Sequence, residues 1–134
     1  MLLGYEADNG EAVITGLIGP GPGAKHKRYS FVPAAMFQQA ALEEHYFKTN
    51  GRETYLGDWH THPRGACSLS YMDKKTLAHI AKTPTSGTQH PIMAILGGEP
   101  DGWIIGAVRF LEARPKLFFN DYRLSFLTPV TFAN

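Results

Sequence analysis

Residues 54–73 have the sequence TYLGDWHTHPRGACSLSYMD, which combines a predicted strand, a loop and the start of a predicted helix. The strand is predicted over Thr54–His62, and Pro63 is expected to end it because proline has no N–H to donate to a sheet ladder. Ser70 stands where the N-cap of the helix belongs, and Asp73 falls in its first turn. The segment therefore predicts a strand joined by a short loop to a capped helix.

The two histidines of this segment are placed to share one metal ion. Side chains alternate between the two faces of a strand, so His60 and His62 point to the same face, together with Asp58. A carboxylate from the helix, Asp73, would complete a His, His, Asp set. Three protein ligands with a fourth position left to water are typical of a catalytic zinc site, where the metal lowers the pKa of the water and polarises a carbonyl group.

Each part of this pattern also has a simpler interpretation. A His-x-His pair on a strand is usually not a metal site, and Ser-x-x-Asp is more often only a helix cap. Asp58 could accept a hydrogen bond from a ligand imidazole or could be an ordinary solvated carboxylate. Cys67 could visit the open position of the metal or be an unremarkable loop thiol. The conjunction favours the metal site, because five specified residues at fixed offsets coincide by chance on the order of once in 10⁵ chains of this length.

The composition is that of one small globular domain. The chain has 134 residues, of which 43% are hydrophobic, and 13 basic against 12 acidic side chains give a formal net charge of +1. So small a charge provides no strong field for binding nucleic acid or an anionic membrane. One cysteine excludes an intramolecular disulfide and a multi-cysteine zinc site, and it fits a reducing, cytoplasmic location. The apolar runs are far shorter than the roughly 20 residues of a membrane helix, and no signal peptide is expected.

Strands are predicted at both ends of the chain, with two helices between them. An Asp-Asn-Gly turn joins the first two strands as a hairpin, and Gly19–Gly23 is a loop whose prolines and glycines exclude a helix. The expected strands are Leu2–Ala7, Glu11–Ile18, Arg28–Val32, Thr54–His62, Pro91–Leu96, Gly102–Leu111 and Lys116–Phe126, and the expected helices are Ala34–Lys48 and Ser70–Lys82. A turn is expected at Arg114-Pro115. This order of elements favours an α+β fold, or a mixed α/β three-layer sheet.

The spacing His-x-His-Pro, six residues, Ser-x-x-Asp resembles the signature of the JAMM metalloproteases, also called the MPN+ or JAB family. Other segments look like the bacterial branch of this family: Leu2-Leu3-Gly4-Tyr5, Thr15-Gly16, Phe31-Val32-Pro33 and Tyr55-Leu56-Gly57-Asp58-Trp59. The resemblance covers most of the chain up to Leu111. It implies a cytidine-deaminase-like MPN/JAB fold, with a mixed and mostly antiparallel sheet flanked by helices.

The resemblance also implies an activity and assigns roles to residues. Family members are zinc-dependent hydrolases of peptide or isopeptide bonds, and their substrates are ubiquitin-like or sulfur-carrier proteins cut after flexible C-terminal tails. By position, His60, His62 and Asp73 would bind Zn²⁺. Ser70 would be the catalytic residue that donates a hydrogen bond to the oxyanion or to the water. No nucleic acid or membrane partner is implied, and the oligomeric state is left open.

The family also uses a glutamate on an early strand as general base, and this residue would lie a few positions before Met1. Residues 1–134 are therefore expected to be a single JAB/MPN domain without the first few residues of its first strand. Three explanations stay open: a start placed too far downstream, a variant that binds metal but is a poor catalyst, or a substitute carboxylate such as Glu6 or Glu11. The alternatives to a peptidase are a non-catalytic MPN-type binding or scaffold module and a metal-dependent hydrolase of a small molecule.

Overall fold

A computed structural model describes residues 1–27 and 30–132 of the chain. The strands are β1 (Leu2–Glu6), β2 (Ala12–Leu17), β3 (Lys25–Lys27), β4 (Ser30–Val32), β5 (Thr54–Pro63), β6 (Ile92–Glu99), β7 (Gly102–Pro115) and β8 (Asn120–Leu127). The helices are α1 (Ala35–Lys48) and α2 (Tyr71–Lys82), and the 3₁₀ turn Pro84–Ser86 follows α2. The chain divides into two compact units, Met1–Leu56 and Gly57–Asn134, so β5 begins in the first unit and continues in the second.

The first unit contains the β1–β2 hairpin, the short antiparallel pair β3–β4, and helix α1. The hairpin turn is stabilised by Asn9, whose side-chain oxygen accepts the Glu11 N–H at 3.0 Å, as expected for a residue that bonds its own turn backbone. Helix α1 is followed by Asn50 and Gly51, which take positive φ values of 52° and 73°. Asparagine and glycine tolerate this conformation better than other residues, so the sequence itself stops the helix here.

The second unit contains a sheet with the strand order β5-β6-β7-β8. β5 and β6 run parallel, which requires a crossover, and α2 lies in that connection. β6–β7 and β7–β8 are antiparallel. Apolar side chains of α2 and the sheet form one buried core: Leu77, Ala78, Met93, Ile95, Val108 and Phe110. This packing holds α2 against the sheet whose first strand carries the two histidines.

The predicted elements agree with the observed ones for both helices and for the strand that carries the histidines, within a residue or two at each end. The prediction of an N-cap at Ser70 is confirmed. Lys25–Lys27 is a strand that the sequence pattern did not predict. Of the predicted strand Arg28–Val32, Arg28 and Tyr29 lie outside the described residues.

The expected turn at Arg114-Pro115 is wrong. β7 continues to Pro115, which pairs with Asn120, and the chain turns over residues 116–119 instead. Proline is tolerated at this place because β7 beyond Arg109 pairs, among the described strands, with β8 alone, so on its other edge a missing N–H breaks no ladder bond. As a result the final strand begins at Asn120 and not at Lys116.

The fold class predicted from the sequence is confirmed. Each unit combines strands with one long helix, and antiparallel pairings join β1–β2, β3–β4, β6–β7 and β7–β8, whereas β5–β6 is parallel. This is a mixed α/β protein with mostly antiparallel pairing. Within residues 1–27 and 30–132, neither helix has the length and apolar character that spanning a membrane requires.

Candidate metal centre

The three predicted metal ligands come together in the second unit. His60 and His62 lie near the end of β5, and Asp73 lies in the first turn of α2. One donor atom from each residue lies within 4.8 Å of the other two. The His60 Nε2 and His62 Nε2 atoms are 2.9 Å apart, and His60 Nε2 is 3.4 Å from Asp73 Oδ1. The strand places both imidazoles on one face, and the start of the helix supplies the carboxylate as the third possible ligand.

The tautomer of His62 follows from its hydrogen bond. His62 Nδ1 lies 3.1 Å from the carbonyl oxygen of Ala66. A carbonyl oxygen can only accept a hydrogen bond, so Nδ1 carries a proton, and in the neutral imidazole Nε2 then keeps its lone pair. Metal-binding histidines commonly have this arrangement, in which the nitrogen away from the metal donates to a carbonyl group. In its neutral form His62 therefore presents an unprotonated Nε2, which lies 2.9 Å from His60 Nε2.

Asp73 and Ser70 are bound to each other by a capping box. Asp73 Oδ2 accepts the Ser70 N–H and the Ser70 hydroxyl, both at 2.7 Å, while Ser70 Oγ accepts the Asp73 N–H at 3.2 Å. The other carboxylate oxygen, Oδ1, faces His60. The two oxygens of Asp73 thus have separate contacts, one with the helix cap and one with the histidine pair.

Electrostatics favour the neutral form of His60. Partial burial lowers the pKa of this imidazole below its ordinary value of 6.5, and the neighbouring His62 lowers it further, whereas the carboxylates of Asp73 and Asp58 act in the opposite direction. A neutral imidazole is the form that binds a metal ion. Asp58 is half-buried, and its charge is close enough to His60 to affect that pKa.

The donor set fits a divalent metal ion. Two imidazoles and a carboxylate form a donor set that suits zinc when one position is left for water. Their donor atoms already converge, and the helix cap orients the carboxylate. Among the residues that the structure describes, this is the group of three metal-binding side chains close enough to share an ion.

Cys67, two further histidines and the possible substitute carboxylates have different surroundings. Cys67 is a free, half-buried cysteine in the loop between β5 and α2. His45 Nε2 contacts Glu53 at 2.7 Å, and His90 Nδ1 contacts the Phe110 carbonyl at 3.2 Å, so both are structural histidines. Of the two substitute carboxylates considered, Glu6 ends β1 and Glu11 follows the hairpin turn, where Asn9 Nδ2 donates to it at 2.9 Å.

Sequence reasoning missed the residues that hold the loop between the ligands. The Ala66 carbonyl acts through its backbone, which no side-chain motif reveals. Gly97 and Gly106 lie in β6 and β7, directly beneath the backbone of Ala66 and Cys67. A glycine inside a strand is a general sign of a close backbone approach, so Gly106 within its predicted strand was the available signal.

The fold and the site together define a class of protein. It is a mixed α/β protein in which two histidines and a helix-capping aspartate can share one metal ion. The chain belongs to the family described as prokaryotic homologs of the JAB domain, whose profile matches residues 1–111. This match confirms the resemblance found in the sequence.

The similar proteins carry the names of two kinds of hydrolase. The probable metalloprotease y4qB of Sinorhizobium fredii (strain NBRC 101917 / NGR234) is 36% identical over 118 residues, which make up 87% of this chain and 72% of that protein. A CD-NTase/cGAS isopeptidase of Enterobacter hormaechei subsp. hoffmannii (strain UCI 50) is 40% identical over 48 residues, 36% of this chain and 27% of the relative. A protein of the same name from Escherichia coli (strain TW11681) is 29% identical over 93 residues, 69% of this chain and 56% of the relative. The chain thus spans less than two thirds of either isopeptidase.

Proposed function

We propose that this chain is a zinc metallopeptidase of JAMM type that hydrolyses the bond after the C-terminal tail of a ubiquitin-like or sulfur-carrier protein. The observation that carries the proposal is the convergence of His60, His62 and Asp73 within 4.8 Å in a chain that belongs to the JAB family. Relatives named metalloprotease and isopeptidase support the hydrolytic class and a protein substrate. A cytoplasmic location belongs to the same proposal.

In this proposal His60, His62 and Asp73 hold the zinc ion. When bound, zinc supplies a Lewis acid that polarises a carbonyl group and activates water at neutral pH. The Ala66 carbonyl keeps the lone pair of a neutral His62 on Nε2. Asp58 lies on the same strand, and its negative charge raises the pKa of His60; we propose it as a hydrogen-bond acceptor for a ligand imidazole. The bond to Ala66 orients His62 before the substrate arrives, which reduces the reorganisation needed during the reaction.

Ser70 is proposed to be the catalytic hydrogen-bond donor. A hydroxyl close to the reacting carbonyl stabilises the negative charge that develops on its oxygen. In this structure the Ser70 hydroxyl donates to Asp73 Oδ2 at 2.7 Å. The hydroxyl must therefore rotate away from Asp73 to serve the substrate, while the Ser70 N–H continues to hold Oδ2 at 2.7 Å.

The substrate tail is proposed to bind as an extra strand. β7 pairs with β8 only from Ala107 onwards, so the outer edge of β7 from Gly102 to Gly106 has no strand partner among the described residues. In the sheet register His62 lies beside Gly97, and Gly97 beside Ile104. The free edge is therefore two strands from His62, roughly 10 Å at ordinary strand spacing. An extended Gly-Gly-like tail could add main-chain hydrogen bonds at this edge.

Cleavage of defined fusions tests the proposed function. A ubiquitin-like protein and a sulfur-carrier protein, each fused through its C-terminal tail to a reporter, are incubated with the zinc-loaded chain. We expect cleavage at the end of the tail, slowed roughly 10²- to 10⁴-fold because no residue of this chain is assigned as general base. Cleavage should be lost with a chelator or with His62→Ala and retained with His79→Ala, which changes an exposed histidine of α2. Zinc binding without cleavage of either fusion would contradict the peptidase and favour a binding module.

A further inference from the structure

The loop between β5 and α2 is bound to the backbone of β6. The Arg64 N–H donates to the Gly98 carbonyl at 2.9 Å, and the Gly98 N–H donates to the Gly65 carbonyl at 2.8 Å. These two bonds fasten the start of the loop to the strand next to β5. The following residues, Ala66 and Cys67, then lie over β6 and β7 themselves.

Two glycines make this close approach possible. A Cβ atom at Gly97 would lie 2.5 Å from Cys67 N and 2.7 Å from Ala66 C. A Cβ atom at Gly106 would lie 2.1 Å from the Cys67 carbonyl oxygen. The atoms in the way belong to the backbone, which cannot rotate aside as a side chain could. Neither glycine has a positive φ, so lack of space, and not backbone conformation, demands glycine here.

The part of the loop that lies on the sheet, Ala66 and Cys67, includes the carbonyl group that orients His62. The carbonyl group of Ala66 has two contacts. Its carbon would lie 2.7 Å from a Cβ atom at Gly97, and its oxygen accepts the His62 Nδ1–H at 3.1 Å. A Cβ atom at either glycine would displace the loop and with it this oxygen. The His62–Ala66 distance of 3.1 Å is already near the upper end of the roughly 2.7–3.2 Å range of N–H···O bonds, so a small displacement weakens the bond. The position of the loop on the sheet and the tautomer of His62 are therefore coupled.

We propose that Gly97 and Gly106 are positioning residues of the metal centre: by letting the loop lie on the sheet, they place the Ala66 carbonyl so that His62 presents its Nε2 lone pair. The inference rests on the proposed function, because the tautomer of His62 matters for activity only if this histidine binds the metal ion. It assigns a role to two residues that are neither ligands nor part of the motif. It also explains why even alanine, with a single methyl group, could not replace glycine at these two strand positions without displacing the loop.

Alanine substitutions at four glycines provide a graded test. Gly97→Ala and Gly106→Ala introduce contacts with the loop backbone at 2.5 and 2.1 Å. Gly65→Ala is milder, with nearest contacts of 3.2 Å to His62 Cβ and 3.3 Å to the His62 carbonyl oxygen. Gly102→Ala is the matched control, since it lies in the same strand as Gly106 and its Cβ would meet no atom within 4 Å.

Two measurements are made on the full chain. The first records the ¹⁵N chemical shifts of the His62 ring in the metal-free protein, which distinguish the Nδ1–H from the Nε2–H tautomer. The second is the affinity for Zn²⁺, followed by competition with a coloured chelator. We expect Gly97→Ala and Gly106→Ala to lose the pure Nδ1–H signature and to bind zinc roughly 10- to 100-fold more weakly, the usual effect of removing a hydrogen-bond partner of a ligand. Gly65→Ala should show a smaller loss and Gly102→Ala none.

The outcomes separate this inference from the proposed function. If folded Gly97→Ala and Gly106→Ala keep the Nδ1–H tautomer and the wild-type zinc affinity, the inference is wrong while the metallopeptidase proposal is untouched. If the wild type binds no zinc, the proposed function fails, and the tautomer measurement still decides the positioning role. If either strand variant does not fold, the ring spectrum of Gly65→Ala decides: an unchanged tautomer and affinity there would overturn the coupling between loop and ligand.

Discussion

Ser70 and Asp73 hold each other through three hydrogen bonds, two of them donated by Ser70 to Asp73 Oδ2 at 2.7 Å and one returned from the Asp73 N–H to Ser70 Oγ at 3.2 Å. The same pair caps helix α2 and leaves Asp73 Oδ1 directed at His60, 3.4 Å from its Nε2. A local helix-start motif therefore also sets the direction of the proposed third ligand. The same hydrogen bonds therefore stabilise the start of helix α2 and orient the proposed ligand.

The cap predicts a coupled effect for Ser70→Ala. Removing the hydroxyl leaves one N–H of the first turn without its acceptor, so the free energy of unfolding should fall by about 0.5–2 kcal/mol. Zinc affinity should fall as well, because Asp73 Oδ2 loses one of its two donors. Urea unfolding and a zinc titration measure the two effects, and Ser70→Thr, which keeps a hydroxyl, should recover most of both. Unchanged stability in Ser70→Ala would show that the capping box does not hold this helix start.

The core beneath the site predicts a larger loss of stability. Leu77 of α2 is fully buried against the sheet, whereas Leu117 in the β7–β8 turn is 88% exposed. Leu77→Ala should lower the free energy of unfolding by about 2–5 kcal/mol, the range for leucine truncations in packed cores. Leu117→Ala, the matched control, removes the same atoms from a solvent-exposed position and should have little effect. Equal losses in the two variants, by chemical denaturation, would contradict the packing of α2 on the sheet.

The surroundings of Glu53 predict that the free energy of unfolding of the first unit depends on pH. The hydrogen bond from the Thr15 hydroxyl lowers the pKa of Glu53 below its ordinary 4.5 against the effect of burial, and His45 lowers it further. A carboxyl with a lowered folded-state pKa binds its proton more readily in the unfolded chain, so its stabilising effect is complete above pH 4.5 and disappears as the pH falls through the folded-state value.

Denaturation at a series of pH values checks this effect. The wild type should be more stable than Glu53→Gln at pH 7, and the difference should shrink as the pH falls below 4.5. Glu43→Gln is the control, because Glu43 is exposed and its hydrogen bond comes from the uncharged Gln39. A difference between wild type and Glu53→Gln that grows towards acid would have the wrong sign for this interpretation.

Much of the candidate site could be predicted from the sequence because it depends on local rules. The alternation of side chains along β5 places His60 and His62 on one face, and the capping pattern of Ser70 places Asp73 in the first turn of α2. The family resemblance implies a sheet flanked by helices, but the apolar packing that brings strand and helix together is specified by no local pattern.

The parts that could not be predicted depend on contacts between distant segments or on the backbone. The Ala66 carbonyl acquires its role only when the loop folds back onto His62. Gly97 and Gly106 are required by the approach of Cys67, a residue far from either in the sequence. Pro115 has the local preference of a turn residue, yet it is the last residue of a strand, because the long β7–β8 pairing outweighs that preference.

The measurement that tests the central claim most directly is the zinc content per chain of the purified protein and its ligand variants. We predict one zinc ion per wild-type chain, a strong loss of bound zinc in His60→Ala, His62→Ala and Asp73→Asn, and an unchanged content in His79→Ala. A wild-type chain that binds no zinc, or a His62→Ala variant that binds as much as the wild type, would contradict the metal centre formed by His60, His62 and Asp73.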